Sequence, residues 1–121
     1  MRYPNFSIDG TMTEVLVSFL YVLPNAVNHV YESLAKELKG LMGNDGLKYV
    51  IMGDFNRNPS QLRCFKTILK LDDDDQKIEE PTHNQNGMLD LVYTNIHCAT
   101  CGVLDSLTKT DHRPIFVSIP K

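Results

Sequence analysis

The sequence predicts an α+β fold, mainly one mixed sheet with two helices, and three observations point to it. Val15–Leu23 is a nearly continuous apolar run rich in β-branched and aromatic residues, the pattern of a central strand buried on both faces. Asn25–Leu41 carries apolar residues at helical spacing. Tyr49–Met52 is a second short apolar run, bounded by Gly53, and reads as a buried strand. A strand, a helix and a strand in that order form a crossover unit, and sites in such sheets lie beyond the strand ends.

The chain has 121 residues, one domain's worth with a single core. Apolar content of 42% and charged content of 22% are ordinary for a globular protein. Twelve basic against fifteen acidic residues leave a formal net charge of -3. Such a chain has no broad attraction to nucleic acid, so phosphate chemistry would need a divalent cation or a basic partner. No apolar run reaches the length of a membrane span, and the polar, proline-containing opening residues do not form a signal-peptide pattern. Three cysteines, an odd number, argue against a secreted disulfide framework. The expected location is inside the cell, the nucleus included.

In chain order, Met1–Thr13 has mixed polarity and no clear period and reads as a poorly defined loop, with at most a short strand. The partial domain then runs over 14–121. The strand from Glu14 to Leu23 is ended by Pro24, with Tyr21 near its end. Asn25 is the expected N-cap of the helix. Val27, Val30, Tyr31, Leu34, Leu38 and Leu41 form its apolar stripe, and Glu32 and Lys36 an i,i+4 ion pair. Gly40 and Gly43 can end it. A second helix is expected over Pro59–Leu71, with Pro59 in its first turn and Leu62, Phe65, Ile68 and Leu69 buried. Cys64 reads as a small buried thiol. Asp72–Asp75 lacks the spaced ligands and glycine of a calcium loop and reads as a solvated acidic loop. Glu79–Gly87 is loop throughout. Met88–Asn95 alternates, with Asp90, Val92 and Thr94 on one face and Leu89, Leu91 and Tyr93 on the other. Val103–Leu107 reads as a short strand, and a final strand follows Pro114.

Polar residues at the strand mouths are the candidate site. Asp54 and Asn56 follow the strand that ends at Gly53, and alternation points both the same way while Phe55 points back. The pair suits a metal or phosphate; its plain structural role would be to begin a turn. Asp90 is a carboxylate inside an apolar strand, costly without a partner. Asp111 and His112 precede the last strand, and histidine is the usual proton-transfer residue near neutral pH.

These residues stand in motifs that together resemble the endonuclease/exonuclease/phosphatase, or DNase I-like, family. The motifs are G-D-F-N at Gly53–Asn56, L-D-L-V-Y-T-N at Leu89–Asn95 and T-D-H-R-P-I at Thr110–Ile115, where Thr110 replaces the family's usual serine. Phe19–Asn25 is similar to the family's Y-x-P-N segment with one extra residue. The stretch Pro81–Asn95 looks most like the endonuclease domains of LINE-type retrotransposons. The resemblance implies part of a four-layer α/β/β/α sandwich and Mg²⁺- or Mn²⁺-dependent hydrolysis of phosphodiester bonds, with DNA as the expected substrate class. It assigns His112 as general base or phosphate contact and Asp90 as the residue holding its imidazole. It assigns Asp111 to the metal, Asp54 to aligning the nucleophile or moving a proton, Asn56 to a phosphate oxygen or the metal shell, and Tyr21 to the phosphate or leaving side.

The resemblance covers the chain from about Val15 and corresponds to the C-terminal part of a family domain. The family's early asparagine and its metal-binding glutamate would lie before Glu14, and Met1–Thr13 carries no match. A non-catalytic truncated remnant is therefore the alternative reading, and self-association or pairing with a missing N-terminal half-domain is the expected way to cover the sheet. A third reading is a small zinc-binding or redox protein built on Cys98 and Cys101, although a single C-x-x-C supplies only half of a structural zinc site.

Overall fold

The computed structural model describes residues 2–43, 47–83, 87–104 and 112–120. The elements in order are β1 (Arg2–Ile8), β2 (Thr11–Tyr21), α1 (Asn28–Met42), β3 (Lys48–Asp54), α2 (Arg63–Leu69), β4 (Asp90–Thr94), β5 (Thr100–Val103) and β6 (Ile115–Ser118), with single 3₁₀ turns at Pro59–Gln61 and Asp73–Asp75. Strands β1 to β4 form one sheet in chain order, and β5 and β6 form a two-stranded sheet. β2 and β3 are parallel, as the α1 crossover requires, while β1–β2 and β3–β4 are antiparallel.

β3, β4 and the middle of β2 are covered on both sides, and their alternation sorts two cores. Leu16, Tyr49, Ile51, Leu91 and Tyr93 turn towards the helices and pack with Tyr31, Ala35, Leu38, Phe65 and Leu69. Val15, Val50 and Val92 turn the other way and pack with Ile78, Ile96 and the inner residues of β5 and β6, among them Cys101, Val103, Ile115 and Val117. Helices, mixed sheet and second sheet thus make three layers. Phe55, at the end of β3, joins the helix-side core, where its ring meets Phe65 and Tyr93 edge-on at 5.4 and 6.0 Å between centroids.

Several expectations need correction. The described part of Met1–Thr13, residues 2–13, is not irregular. Arg2–Ile8 is a strand that returns through a two-residue turn, with Asp9 at φ 48° and Gly10 at φ 79°. Positive φ at both central residues is the type I′ geometry that suits a twisted hairpin. The N-cap of α1 is Val27, not Asn25, because Pro24 and Asn25 form a turn first. The buried stripe is Tyr31, Ala35 and Leu38, while Val27, Val30 and Leu41 are exposed. The Glu32–Lys36 pair forms at 3.0 Å. β2 is central, but its last turn of chain is not covered: Phe19, Tyr21 and Leu23 are exposed. The second helix is shorter than expected, a 3₁₀ turn followed by α2, and ends at Lys70 in the left-handed region. Cys64 is exposed rather than buried. The strand expected over Val103–Leu107 ends at Val103 in β5, and its later residues lie outside those described. Asp73–Asp75 form a 3₁₀ turn capped by Asp72, in which Asp73 pairs with Lys66 at 3.0 Å and Asp75 accepts a hydrogen bond from the Tyr49 hydroxyl at 3.1 Å.

Candidate active site

Three strands carry the site to one rim. Tyr21 of β2 pairs with Asp54 of β3, and Asp54 pairs with Asp90 of β4. Residues in register share a face, so Tyr21, Asp54 and Asp90 form a row at the edge of the sheet face that carries β5 and β6. Val15, Val50 and Val92 lie deeper on that same face.

His112, just before β6, closes the row from the second sheet. Its Nδ1 lies 2.7 Å from Asp90 Oδ2 and its Nε2 lies 3.7 Å from Asp54 Oδ2. Both carboxylates are mostly buried, with side-chain exposure of 15% for Asp54 and 13% for Asp90, against 36% for His112. Burial raises the Asp54 pKa above its ordinary value; the Asn56 amide hydrogen bond opposes this, the Asp90 charge adds to it, and His112 and His83 oppose it.

The backbone around these groups is tied down locally. Asn56 has φ 49°, a conformation that asparagine tolerates. Its N–H donates to Asp54 Oδ1 at 2.9 Å, and its side-chain amide donates to the Val22 carbonyl. Asn56 therefore clamps the exit of β2 to the exit of β3, where Val22 N–H also donates to the Asp54 carbonyl at 2.9 Å. On the other side, buried Thr82 accepts through Oγ1 from the N–H groups of Leu89 at 3.1 Å and Asp90 at 2.9 Å. The Thr82 carbonyl accepts from the N–H of Arg113, next to His112, at 2.8 Å. One loop thus fixes both Asp90 and the backbone of His112.

Of the residues expected at the site, Asp54, Asp90 and His112 come together, Tyr21 stands in the same row with an exposed ring, and Asn56 borders it. Asp111 lies outside the described residues. Sequence reasoning weighs His83 only as a possible zinc ligand beside the C-x-x-C, with Cys64 and His97, and does not bring His83 or Thr82 to this site. His83 makes a backbone bridge with His112, and the two imidazoles stand nearly perpendicular at 4.8 Å between centroids. The P-T-H-N stretch reads as a loop and as part of the LINE-like segment; no local pattern shows that the loop returns to His112.

One ligand atom each from Asp54, Asp90 and His112 falls within 4.8 Å of the others. Two carboxylates and an imidazole are a donor set that a divalent cation fits. Among the described residues no comparable group includes a cysteine; Cys98 is exposed and Cys101 half-buried in β5. No helix among the described residues is long and apolar enough to cross a membrane.

No protein-family model matches the sequence, and no curated protein does. Two solved structures are similar. One is CdtB, the biologically active subunit of cytolethal distending toxin, at 18% identity and a TM-score of 0.57, covering 88% of this chain and 48% of that one. The other is cytolethal distending toxin from Actinobacillus actinomycetemcomitans, at 18% identity and a TM-score of 0.59, covering 87% and 49%. The chain spans about half the length of the structures it matches. At this identity the likeness speaks to architecture, and that architecture is the DNase I-like sandwich, α+β with a mixed four-stranded sheet and two helices.

Proposed function

We propose that the chain is the C-terminal part of a metal-dependent phosphodiesterase of the endonuclease/exonuclease/phosphatase type, acting on nucleic acid with DNA as the substrate class, and derived from a LINE-type retrotransposon endonuclease. The observation that carries the reading is the His112 ring held between Asp90 and Asp54 at the rim of the two sheets.

Asp90 accepts the Nδ1 proton of His112, which leaves Nε2 with a lone pair directed to the Asp54 side. A water there gives its proton to Nε2 as its oxygen attacks phosphorus. The new P–O bond forms while the bond to the leaving sugar oxygen breaks, and the leaving oxygen takes up a proton. Asp54, whose pKa is raised by burial, aligns that water or passes a proton. Tyr21, exposed at the end of the row, contacts the phosphate or the leaving side, and Asn56 borders the phosphate oxygens. Asp111, with Asp54, would hold Mg²⁺ or Mn²⁺, which when bound offsets the negative charge gathering on the phosphate.

Nicking of supercoiled plasmid in Mg²⁺, with chelator and His112→Ala as controls, tests the reading. Activity that needs the cation and is lost in His112→Ala supports it. Equal activity in wild type and variant sinks it in favour of the truncated, non-catalytic remnant.

A further inference from the structure

We infer that His83 is a positioning residue of this site: its ring holds the His112 imidazole in the orientation that faces Asp90 and Asp54. The inference rests on the proposed role of His112 but reads a different feature. His112 is 36% exposed in its side chain and stands on the short stretch before β6. Asp90 meets the imidazole at Nδ1, at 2.7 Å, and Asp54 lies 3.7 Å from Nε2, both contacts at the edge of the ring. His83 adds a contact that sets the plane of the ring. Its ring meets His112 at 4.8 Å between centroids with planes 84° apart, an edge-to-face contact that fixes the plane of each ring.

The backbone makes this contact stiff rather than incidental. His83 and His112 are bridged antiparallel. His83 N–H donates to the Gly87 carbonyl at 2.9 Å, and the neighbouring Thr82 is tied to Leu89, Asp90 and Arg113. The same short segment therefore holds the carboxylate that orients His112 from one side and the ring that packs on it from the other. A misplaced ring would lose the shared geometry that general-base catalysis needs.

Proton NMR of the full chain tests this without relying on turnover. Wild type is expected to show a low-field Nδ1 proton for His112 and cross-relaxation between the His83 and His112 ring protons. His83→Ala is expected to broaden or lose the low-field proton, and His83→Phe, which keeps an edge-to-face partner, to retain it. In nicking assays His83→Ala should lower kcat about tenfold, the scale of one aromatic pair, with KM within about twofold, and His83→Phe should recover most of the rate. Absence of the ring–ring cross-relaxation in wild type overturns the inference even if the alanine variant fails to fold. So does a low-field proton that is unchanged in His83→Ala, or lost equally in His83→Phe. If neither wild type nor any variant nicks DNA while the NMR pattern holds, the phosphodiesterase reading falls and the positioning role of His83 stands.

Discussion

Asp54 and Asp90 sit directly opposite one another in the β3–β4 ladder, and His112 reaches both, at 3.7 and 2.7 Å. Like charges placed directly across a ladder repel, and these two are mostly withdrawn from water. An imidazole that can carry positive charge between them offsets the repulsion. The fold thus carries an electrostatic cost at this rim, and its parts can be separated by substitution.

Asp54→Asn isolates the cost of one charge. Burial raises the Asp54 pKa from its ordinary 3.8, and the Asp90 charge adds to it. The folded chain therefore holds the Asp54 proton more tightly than the unfolded chain does. That advantage is complete below the ordinary value and is lost as pH rises through the raised folded value. The asparagine keeps an acceptor for the Asn56 N–H and never ionises. Melting curves of the variant are expected to show a Tm about 2–5 °C higher at neutral pH, with a flatter pH dependence just above the ordinary aspartate value. A lower Tm at neutral pH with an unchanged acid slope would show that Asp54 is stabilised, not strained, by its neighbours.

The sequence exposed this carboxylate pair because a polar residue in an apolar run is conspicuous, and because β alternation put Asp54 and Asp90 on stated faces. The crossover of β2, α1 and β3 was legible for the same reason. What escaped was of two kinds. The β1 hairpin carried its signal in Asp9-Gly10, but most of Arg2–Ile8 is exposed, so there was no apolar period to accompany the turn. The α1 stripe was drawn from large residues, whereas the contact is centred on Tyr31, Ala35 and Leu38; a small residue is where another element comes close. His83 and Thr82 were illegible because their partners, His112 and Asp90, lie on other segments and no local rule links them.

Tyr31→Phe probes the support beneath the site. The buried Tyr31 hydroxyl donates to the Phe55 carbonyl at 2.5 Å, and Arg57 lies over the Tyr31 ring at 4.1 Å from its centroid. Phe55 separates Asp54 from Asn56, so this bond fixes the turn from the helix side. Removing the hydroxyl leaves a buried carbonyl without its donor, at a cost of about 1–2 kcal/mol. Urea denaturation should show a lower midpoint with an unchanged slope. A loss below about 0.5 kcal/mol would mean that the carbonyl is satisfied in another way.

Gly53→Ala should be far more damaging than its size suggests. Gly53 has φ 144°, and a Cβ there would fall 1.9 Å from the Leu20 carbonyl oxygen of the paired strand. Backbone is the obstacle, so no side chain can swing aside. We expect a loss of about 3 kcal/mol or more from combined strain and clash, read by chemical denaturation. Alanine at Gly10, where nothing lies within 4 Å of the added atom, is the comparison: it pays only the positive φ of 79°, about 1 kcal/mol. Equal losses at the two positions would contradict the close approach of β2 and β3.

Asp90→Asn tests whether Asp90 orients His112 or merely fills space. The amide has the same shape and keeps its place in the β4 ladder, so the fold should persist, and the repulsion with Asp54 disappears. The chemistry should not survive. An amide presents a neutral acceptor or a donor to Nδ1, so it no longer favours the tautomer with Nε2 open, nor the imidazolium formed when His112 takes a proton. Single-turnover nicking in Mg²⁺ is expected to slow about 10³–10⁴-fold, on the scale seen when such an acid–histidine pair is broken, with little change in DNA binding. In the proposed mechanism Asp90 and His112 act as one unit, so the double variant Asp90→Asn with His112→Ala should be no slower than His112→Ala alone. A rate for Asp90→Asn within about threefold of wild type would remove Asp90 from the catalytic unit, since an oriented base contributes on the order of 10²–10⁴, and would leave the 2.7 Å contact with His112 as packing.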